Sequence, residues 1–226
     1  MKIGGVIPLS LVDYLQRPAV VIFTSGCNLR CPFCHNRELV EGRESVDHKQ
    51  VLAFLEKRAG KLGAVCISGG EPTVQEDLEE FICEIKSLGY RVKLDTNGSR
   101  PKFLKRLLAH LDYVALDIKS SPCRYRAATG GKLAFDTAAE SAEIIKESGV
   151  AYELRTTAVP GLVAIEDLAF IARRLGPVQR YAVQMFRPAK TLNPALEKAE
   201  TYPADWFAKA KKALEGQAKE VLLRGI

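Results

Sequence analysis

No apolar run in these 226 residues approaches the roughly 18 that a membrane-spanning helix needs, so the chain does not read as a membrane protein. The opening Met1-Lys2-Ile3-Gly4-Gly5 lacks the basic-then-apolar layout of a signal peptide, and the expected location is the cytoplasm. No low-complexity tract and no internal linker divides the chain. Lys and Arg outnumber Asp and Glu, 33 to 27, for a net charge of +6, but no dense basic run stands out. Nucleic acid therefore has nothing beyond charge in its favour, and the plain reading is a solvated surface with a mild basic excess. The sharper reading of the same charge is an acidic protein partner, such as a small electron-transfer protein. His48, His110 and Trp206 fall in helical stretches and are assigned no chemistry. Six cysteines remain to be explained. In a reducing compartment such residues more often bind metal or do chemistry than form disulfides.

What is present is an ordinary globular composition, 47% hydrophobic and 27% charged. Short β-branched or apolar runs (Val20–Thr24, Ala64–Ser68, Arg91–Asp95, Tyr113–Asp117, Tyr152–Thr157, Arg180–Gln184) alternate with stretches of helical spacing. The latter are Val51–Arg58, Glu76–Leu88, Phe103–Leu111, Ala139–Lys146, Leu168–Leu175 and Trp206–Leu214. In the clearest, Leu78, Phe81, Ile82, Ile85 and Leu88 share one face and Gly89 follows as a stop. Six β-α units call for a parallel sheet wound in one sense. The expected fold class is α/β, a partial (β/α)6 barrel with mostly parallel strands. It should form a single domain over 1–226, with an N-terminal strand or hairpin at 1–17, a core at 18–188 and a helical appendage at 189–226. Three connections are unusually long, Ser25–Val46, Ser120–Phe135 and Met185–Pro203. All leave the carboxyl end of a strand, where parallel barrels build their sites.

The first strand runs directly into Ser25-Gly26-Cys27-Asn28-Leu29-Arg30-Cys31-Pro32-Phe33-Cys34-His35-Asn36. Three thiolates on one loop can hold three irons of a cubane and leave the fourth open. A zinc site would want four ligands, with His35 as the obvious fourth, but neighbouring residues rarely both reach one tetrahedral ion. Cys66 and Cys83 read as small buried core residues, and Cys123 as a bystander in a long loop. Gly69-Gly70-Glu71-Pro72 follows the second strand; its glycines permit close backbone approach and Glu71 can accept from an ammonium. The third strand ends in Asp95-Thr96-Asn97-Gly98 and the fourth in Asp117-Ile118-Lys119. Two-residue alternation puts Asp117 and Lys119 on one face, as it does Glu153, Arg155 and Thr157 on the fifth strand. Such charges in a lumen must pair or bind a polar ligand.

The cysteine spacing followed one β-α unit later by Gly-Gly-Glu-Pro resembles the radical S-adenosylmethionine (SAM) superfamily. Cys34-His35-Asn36 and Asp117-x-Lys119 resemble its glycyl radical enzyme activating subgroup. Leu116-Asp117-Ile118-Lys119, Pro160-Gly161-Leu162 and Gln184-x-Phe186-Arg187-Pro188 are similar to the activating proteins of anaerobic (class III) ribonucleotide reductase. The resemblance implies a [4Fe–4S] cluster on Cys27, Cys31 and Cys34, and SAM contacts from Asn36, Gly69, Gly70, Glu71, Thr96, Asp117 and Lys119. Catalytic roles for the three cysteines, Lys119 and Arg155 are implied as well. It also implies a monovalent cation at Asp95, Thr96 and Asp117, with Arg155 reaching SAM or an incoming peptide. The implied activity is reductive cleavage of SAM to place a glycyl radical on a partner enzyme. Flavodoxin or ferredoxin would be the electron donor and the chain a monomer. Two departures stand out: Leu15-Gln16 replaces the family's Pro-Gly after Asp13-Tyr14, and no histidine follows Pro160-Gly161. The alternative is a small-molecule enzyme like 7-carboxy-7-deazaguanine synthase. That family carries Asp-Thr after the third cysteine and Ser-Pro-Lys after the fourth strand.

Overall fold

The structure, a computed structural model, describes residues 1–42 and 46–226; residues 43–45, within the first long connection, lie outside it. In chain order the strands are β1 (Ile3–Ser10), β2 (Ala19–Thr24), β3 (Ala64–Gly69), β4 (Arg91–Thr96), β5 (Tyr113–Asp117), β6 (Ala151–Ala158), β7 (Val178–Met185) and β8 (Ala218–Arg224). The helices are α1 (Arg37–Val40), α2 (His48–Arg58), α3 (Leu78–Ser87), α4 (Pro101–Leu107), α5 (Pro122–Ala128), α6 (Phe135–Ser148), α7 (Ile165–Leu175) and α8 (Ala204–Leu214). All eight strands form one sheet in sequence order, with β1 antiparallel to β2 and every later pair parallel. A sheet built this way curls toward a barrel, and β1 and β8 are its two edges.

Period-two alternation sorts each strand's side chains between two environments. Val65, Ile67, Val92, Leu94, Val114, Leu116, Leu154 and Val183 face the helices and pack with Phe81, Ile82, Ile85, Leu104, Ile145 and Ile171 in the main core. Fully burying such a side chain contributes about 1.5–3 kcal/mol, which makes this layer the main source of stability. The intervening positions, Cys66, Lys93, Asp95, Asp117, Glu153 and Arg155, supply the polar contacts described below. Helix ends follow local chemistry: the Asp47 carboxylate accepts from the Lys49 and Gln50 amides at the start of α2, and Gly149 ends α6 in the left-handed region at φ +76°.

Two expectations are corrected here. The segment after residue 189 is not a purely helical appendage, because it ends in β8, one more parallel strand than the six expected. An edge strand is half-exposed and shows no clean alternation, so Ala218–Arg224 carries little pattern to read. What holds it is tertiary: the ladder from Val178↔Ala218 to Gln184↔Arg224, and a two-bond pairing of Arg224 with buried Glu153 at 2.8 and 2.7 Å. Cys83 is exposed on α3 rather than buried, since Leu78, Phe81, Ile82 and Ile85 form the inward face and Cys83 lies off it. The Leu15-Gln16 turn also has a physical footprint. Gln16 sits at φ +59°, the left-handed region that glycine favours, at a strain of roughly 1–2 kcal/mol.

Candidate active site at the carboxyl ends of the strands

Residues 25–36 leave β2 as a loop with little secondary structure of its own, so its shape is set by what it touches. Gly26 N donates to Leu39 O at 2.6 Å, and Glu71 N, after β3, donates to Gly26 O at 2.9 Å. The other two long connections close over it. Thr129 O, at the end of α5, accepts from Arg30 N at 3.3 Å, and Gly130 lies against the Arg30 backbone. The segment after β7 acts as a strap: Leu192 N donates to Cys34 O at 2.9 Å and Asn193 N to Pro32 O at 2.8 Å. Arg37 ties the same strap down by donating to Thr191 O and pairing with Glu197 at 2.7 Å. Beneath the loop, Leu29, Cys31, Phe33, Ala128, Val159 and Phe186 form a separate small core. Sequence reading found these long connections but not their purpose as clamps on one loop.

Cys27, Cys31 and Cys34 line one cavity of about 380 Å³, together with Asn36, Gly69, Gly70, Glu71, Asp95, Thr96, Asp117, Lys119 and Arg155. The topology thus brings every residue singled out as a site candidate to one place. Burial pushes the Cys27 thiol up to about 11; burial also raises Cys31, against the pull of Lys119. Such thiols stay protonated unless a metal takes them as thiolates, which is the state cluster irons require. His35, the fourth ligand a zinc site would need, stacks on Phe186 instead, and its Nδ1 meets Ala189 O at 2.6 Å. Among the described residues, no three His, Cys, Asp or Glu side chains gather around a single ion position.

The Gly-Gly-Glu-Pro turn has a packing rationale beside the one its sequence suggests. A Cβ on Gly70 would lie 2.0 Å from Gly26 O, and one on Gly69 2.4 Å from Thr24 N. Both glycines are demanded by close packing of this turn on the start of the cysteine loop. Glu71 is 1% exposed, and four donors converge on its carboxylate: Thr73 N (3.1 Å), Thr73 Oγ1 (2.6 Å), Thr96 Oγ1 (2.6 Å) and Asn97 N (2.7 Å). It joins the ends of β3 and β4, and an ammonium would have to compete for it. Burial raises its pKa while these hydrogen bonds oppose the rise.

Across the lumen runs a chain of five charges. Lys93 Nζ is 2.8 Å from Asp95, Arg155 is 3.0 Å from Asp95 and 2.6 Å from Asp117, and Lys119 Nζ is 2.9 Å from Asp117. Burial works against the charge on Asp117, but Arg155 and then Lys119 outweigh it and hold the carboxyl well below the usual carboxylate range. Asp95 is lowered in the same way, against burial, by Arg155 and Lys93. Lys93 escaped the sequence reading although alternation along β4 places it on the Asp95 face, the rule already applied to Asp117 and Lys119. Gln184, Met185 and Arg187 complete the mouth, and Asn28 joins it through Asn97 Nδ2 at 3.1 Å. Cys66 is buried, as expected, while exposed Cys83 and Cys123 are not in the cavity wall.

These residues fit the cluster and SAM: three thiols, the cationic Lys119 and Arg155 for a carboxylate, and Asp95, Asp117 and Glu71 for an ammonium share one cavity wall. The cation expected at Asp95, Thr96 and Asp117 does not fit, because both carboxylates already face cationic side chains and Thr96 donates to Glu71.

Comparison with known proteins agrees. The profile of the "Radical SAM superfamily" matches residues 21–173, more than half of the chain. A protein of Methanocaldococcus jannaschii named as a candidate glycyl-radical enzyme activating enzyme (MJ1227) is 31% identical over 204 residues, 87% of this chain and 84% of its own length. The pyruvate formate-lyase-activating enzyme of Clostridium pasteurianum is 29% identical over 98% of this chain and 96% of its own length. Among solved structures, Streptococcus suis SuiB bound to S-adenosylmethionine superposes with a TM-score of 0.67 at 18% identity. The match covers 91% of this chain but spans only half of that structure's length, so it speaks to the fold alone. Profile, relatives and geometry together place this chain in the radical SAM superfamily, as an enzyme homologous to the activating enzymes of glycyl radical enzymes.

Proposed function

We propose that this enzyme activates a glycyl radical enzyme, an anaerobic ribonucleotide reductase, by way of a [4Fe–4S] cluster held by Cys27, Cys31 and Cys34. The observation that carries the activating role is the match to a pyruvate formate-lyase-activating enzyme over 98% of this chain and 96% of the relative; the reductase as partner rests on the likeness of Gln184-x-Phe186-Arg187-Pro188 to reductase activators. The mouth supports the choice of partner. Gln184 and Arg187, from the segment that is similar to reductase activators, line the cavity, where an entering peptide would meet them. Bound in the cavity, cluster and SAM supply reductive cleavage of the sulfonium and, through it, removal of a glycine α-hydrogen. This chain's own residues do the holding. Leu29, Phe33 and Phe186 keep the cysteine loop packed and dry on its inner side. Lys119 and Asn36 present donors to the amino-acid end of SAM, and exposed Arg187 offers a guanidinium to peptide carbonyls. The electron comes from flavodoxin or ferredoxin, and the chain acts as a cytoplasmic monomer.

The test is to incubate reduced protein and SAM with a candidate anaerobic reductase and record its electron paramagnetic resonance spectrum. A doublet near g = 2 (about the free-electron value, expected of a carbon radical) is the expected result. Absence of a radical on any glycyl partner, with turnover of a small heterocycle in its place, would overturn the proposal in favour of a small-molecule enzyme.

A further inference from the structure

The resemblance implies a monovalent cation between Asp95 and Asp117, and the lumen already holds a cation there. Arg155, on β6, stands opposite Asp117 of β5 in the strand register. Its Nη1 donates to Asp95 Oδ2 at 3.0 Å and its Nε to Asp117 Oδ1 at 2.6 Å, so one guanidinium bridges the two carboxylates. The remaining oxygens are also taken, Asp95 Oδ1 by Lys93 at 2.8 Å and Asp117 Oδ2 by Lys119 at 2.9 Å. Thr96 has turned its hydroxyl to Glu71. A metal ion entering this bridge would have to displace the guanidinium or sit against it, and like charges at such separation repel strongly where burial weakens screening. The Arg155 side chain is only 13% exposed, so water does little to relieve that repulsion.

We propose that Arg155 is the built-in cation of the SAM pocket: it bridges Asp95 and Asp117, offsets their charge, and makes SAM binding independent of potassium or sodium. Arg155 is thereby a positioning residue, acting on SAM through the two aspartates and Lys119 rather than on the reacting atoms. Its delocalised, always-charged fork suits this bridge in a way that a single hydrated ion does not. The inference rests on the cavity being the SAM site, and it is independent of which partner enzyme is activated.

The experiment measures SAM affinity of the cluster-reconstituted protein by equilibrium dialysis, in potassium chloride and in choline chloride at equal ionic strength. Wild type should give dissociation constants that agree within about twofold, and Arg155→Ala should bind about tenfold more weakly in choline and recover in potassium, as the ion enters the vacated bridge. A potassium requirement in the wild type would overturn the inference. So would Arg155→Ala that binds normally in choline, or one that takes up iron but is not rescued, which would assign Arg155 to direct SAM contact. Should the alanine variant fail to take up iron, the wild-type comparison decides alone. SAM that binds in neither salt would overturn the SAM-site reading, and this inference with it.

Discussion

Gly70→Ala is the most discriminating single change, because sequence reading and structure give different reasons for the glycine. If the glycine serves close approach to SAM, alanine should weaken SAM binding and leave the empty protein untouched. The structure adds a demand that does not involve SAM. Gly70 does not use a positive φ, so the added methyl acts by bulk alone. Its carbon would stand 2.0 Å from Gly26 O and 2.7 Å from Gly26 C, where ordinary contact begins near 3.4 Å. Relief by translation along that line requires an opening of 1.4 Å between the turn and the cysteine loop (3.4 − 2.0). Both are backbone, so no side chain can swing aside. The Glu71 N–Gly26 O and Gly70 N–Thr24 O bonds, each 2.9 Å, span this gap and would be broken or badly stretched. At about 1 kcal/mol net for each bond and a similar amount for strain, the loss is about 2–4 kcal/mol. For a chain of this size that corresponds to a fall of about 5–15 °C in Tm. Gly26 immediately precedes Cys27, so iron uptake should fall too. Gly5→Ala, which meets nothing within 4 Å, is the matched control. Thermal unfolding of the apo protein under reducing conditions, followed by iron assay after reconstitution, reads both effects. A Gly70→Ala apo protein that melts within about 1 °C of wild type would refute the packing argument, since even one lost bond predicts more.

Further outcomes follow from the same geometry. Alanine at Cys27, Cys31 or Cys34 should abolish iron and sulfide uptake, whereas alanine at Cys66, Cys83 or Cys123 should leave both near wild type; loss in the Cys123 variant would assign that helix start to the site. Arg224→Ala leaves buried Glu153 without its guanidinium and should destabilise by about 3–5 kcal/mol in urea unfolding, with Glu153→Gln in the same background recovering part of the loss. Asp117→Asn tests the lumen charges through pH. The folded Asp117 carboxyl lies below its unfolded value, so its contribution is complete above about pH 4 and fades as acid titrates the unfolded chain first. The stability gap between wild type and Asp117→Asn should therefore be widest near neutral pH and narrow below about pH 4. A gap that widens in acid would reverse the sign of that coupling.

Much was legible before any fold was known, and the reason is locality. The C-x3-C-x2-C spacing, the Gly-Gly-Glu-Pro turn and the Asp117-x-Lys119 alternation each lie within a few residues, so the backbone's own geometry fixes what they share. Strands β2 to β5, buried on both faces, show as short β-branched or apolar runs, and helices such as α3 show because burial on one face writes a period into the chain. An edge strand such as β8 has no such constraint, and only the ladder to β7 and the Arg224–Glu153 pair made Ala218–Arg224 a strand. The same limit applied inside the lumen. That Arg155 stands opposite Asp117 and within reach of Asp95 depends on strand register and on lateral pairing, neither of which a single strand's sequence contains. The guanidinium bridge between Asp95 and Asp117 was therefore decided by the tertiary structure, because only there do charges from different strands come within a hydrogen bond of one another.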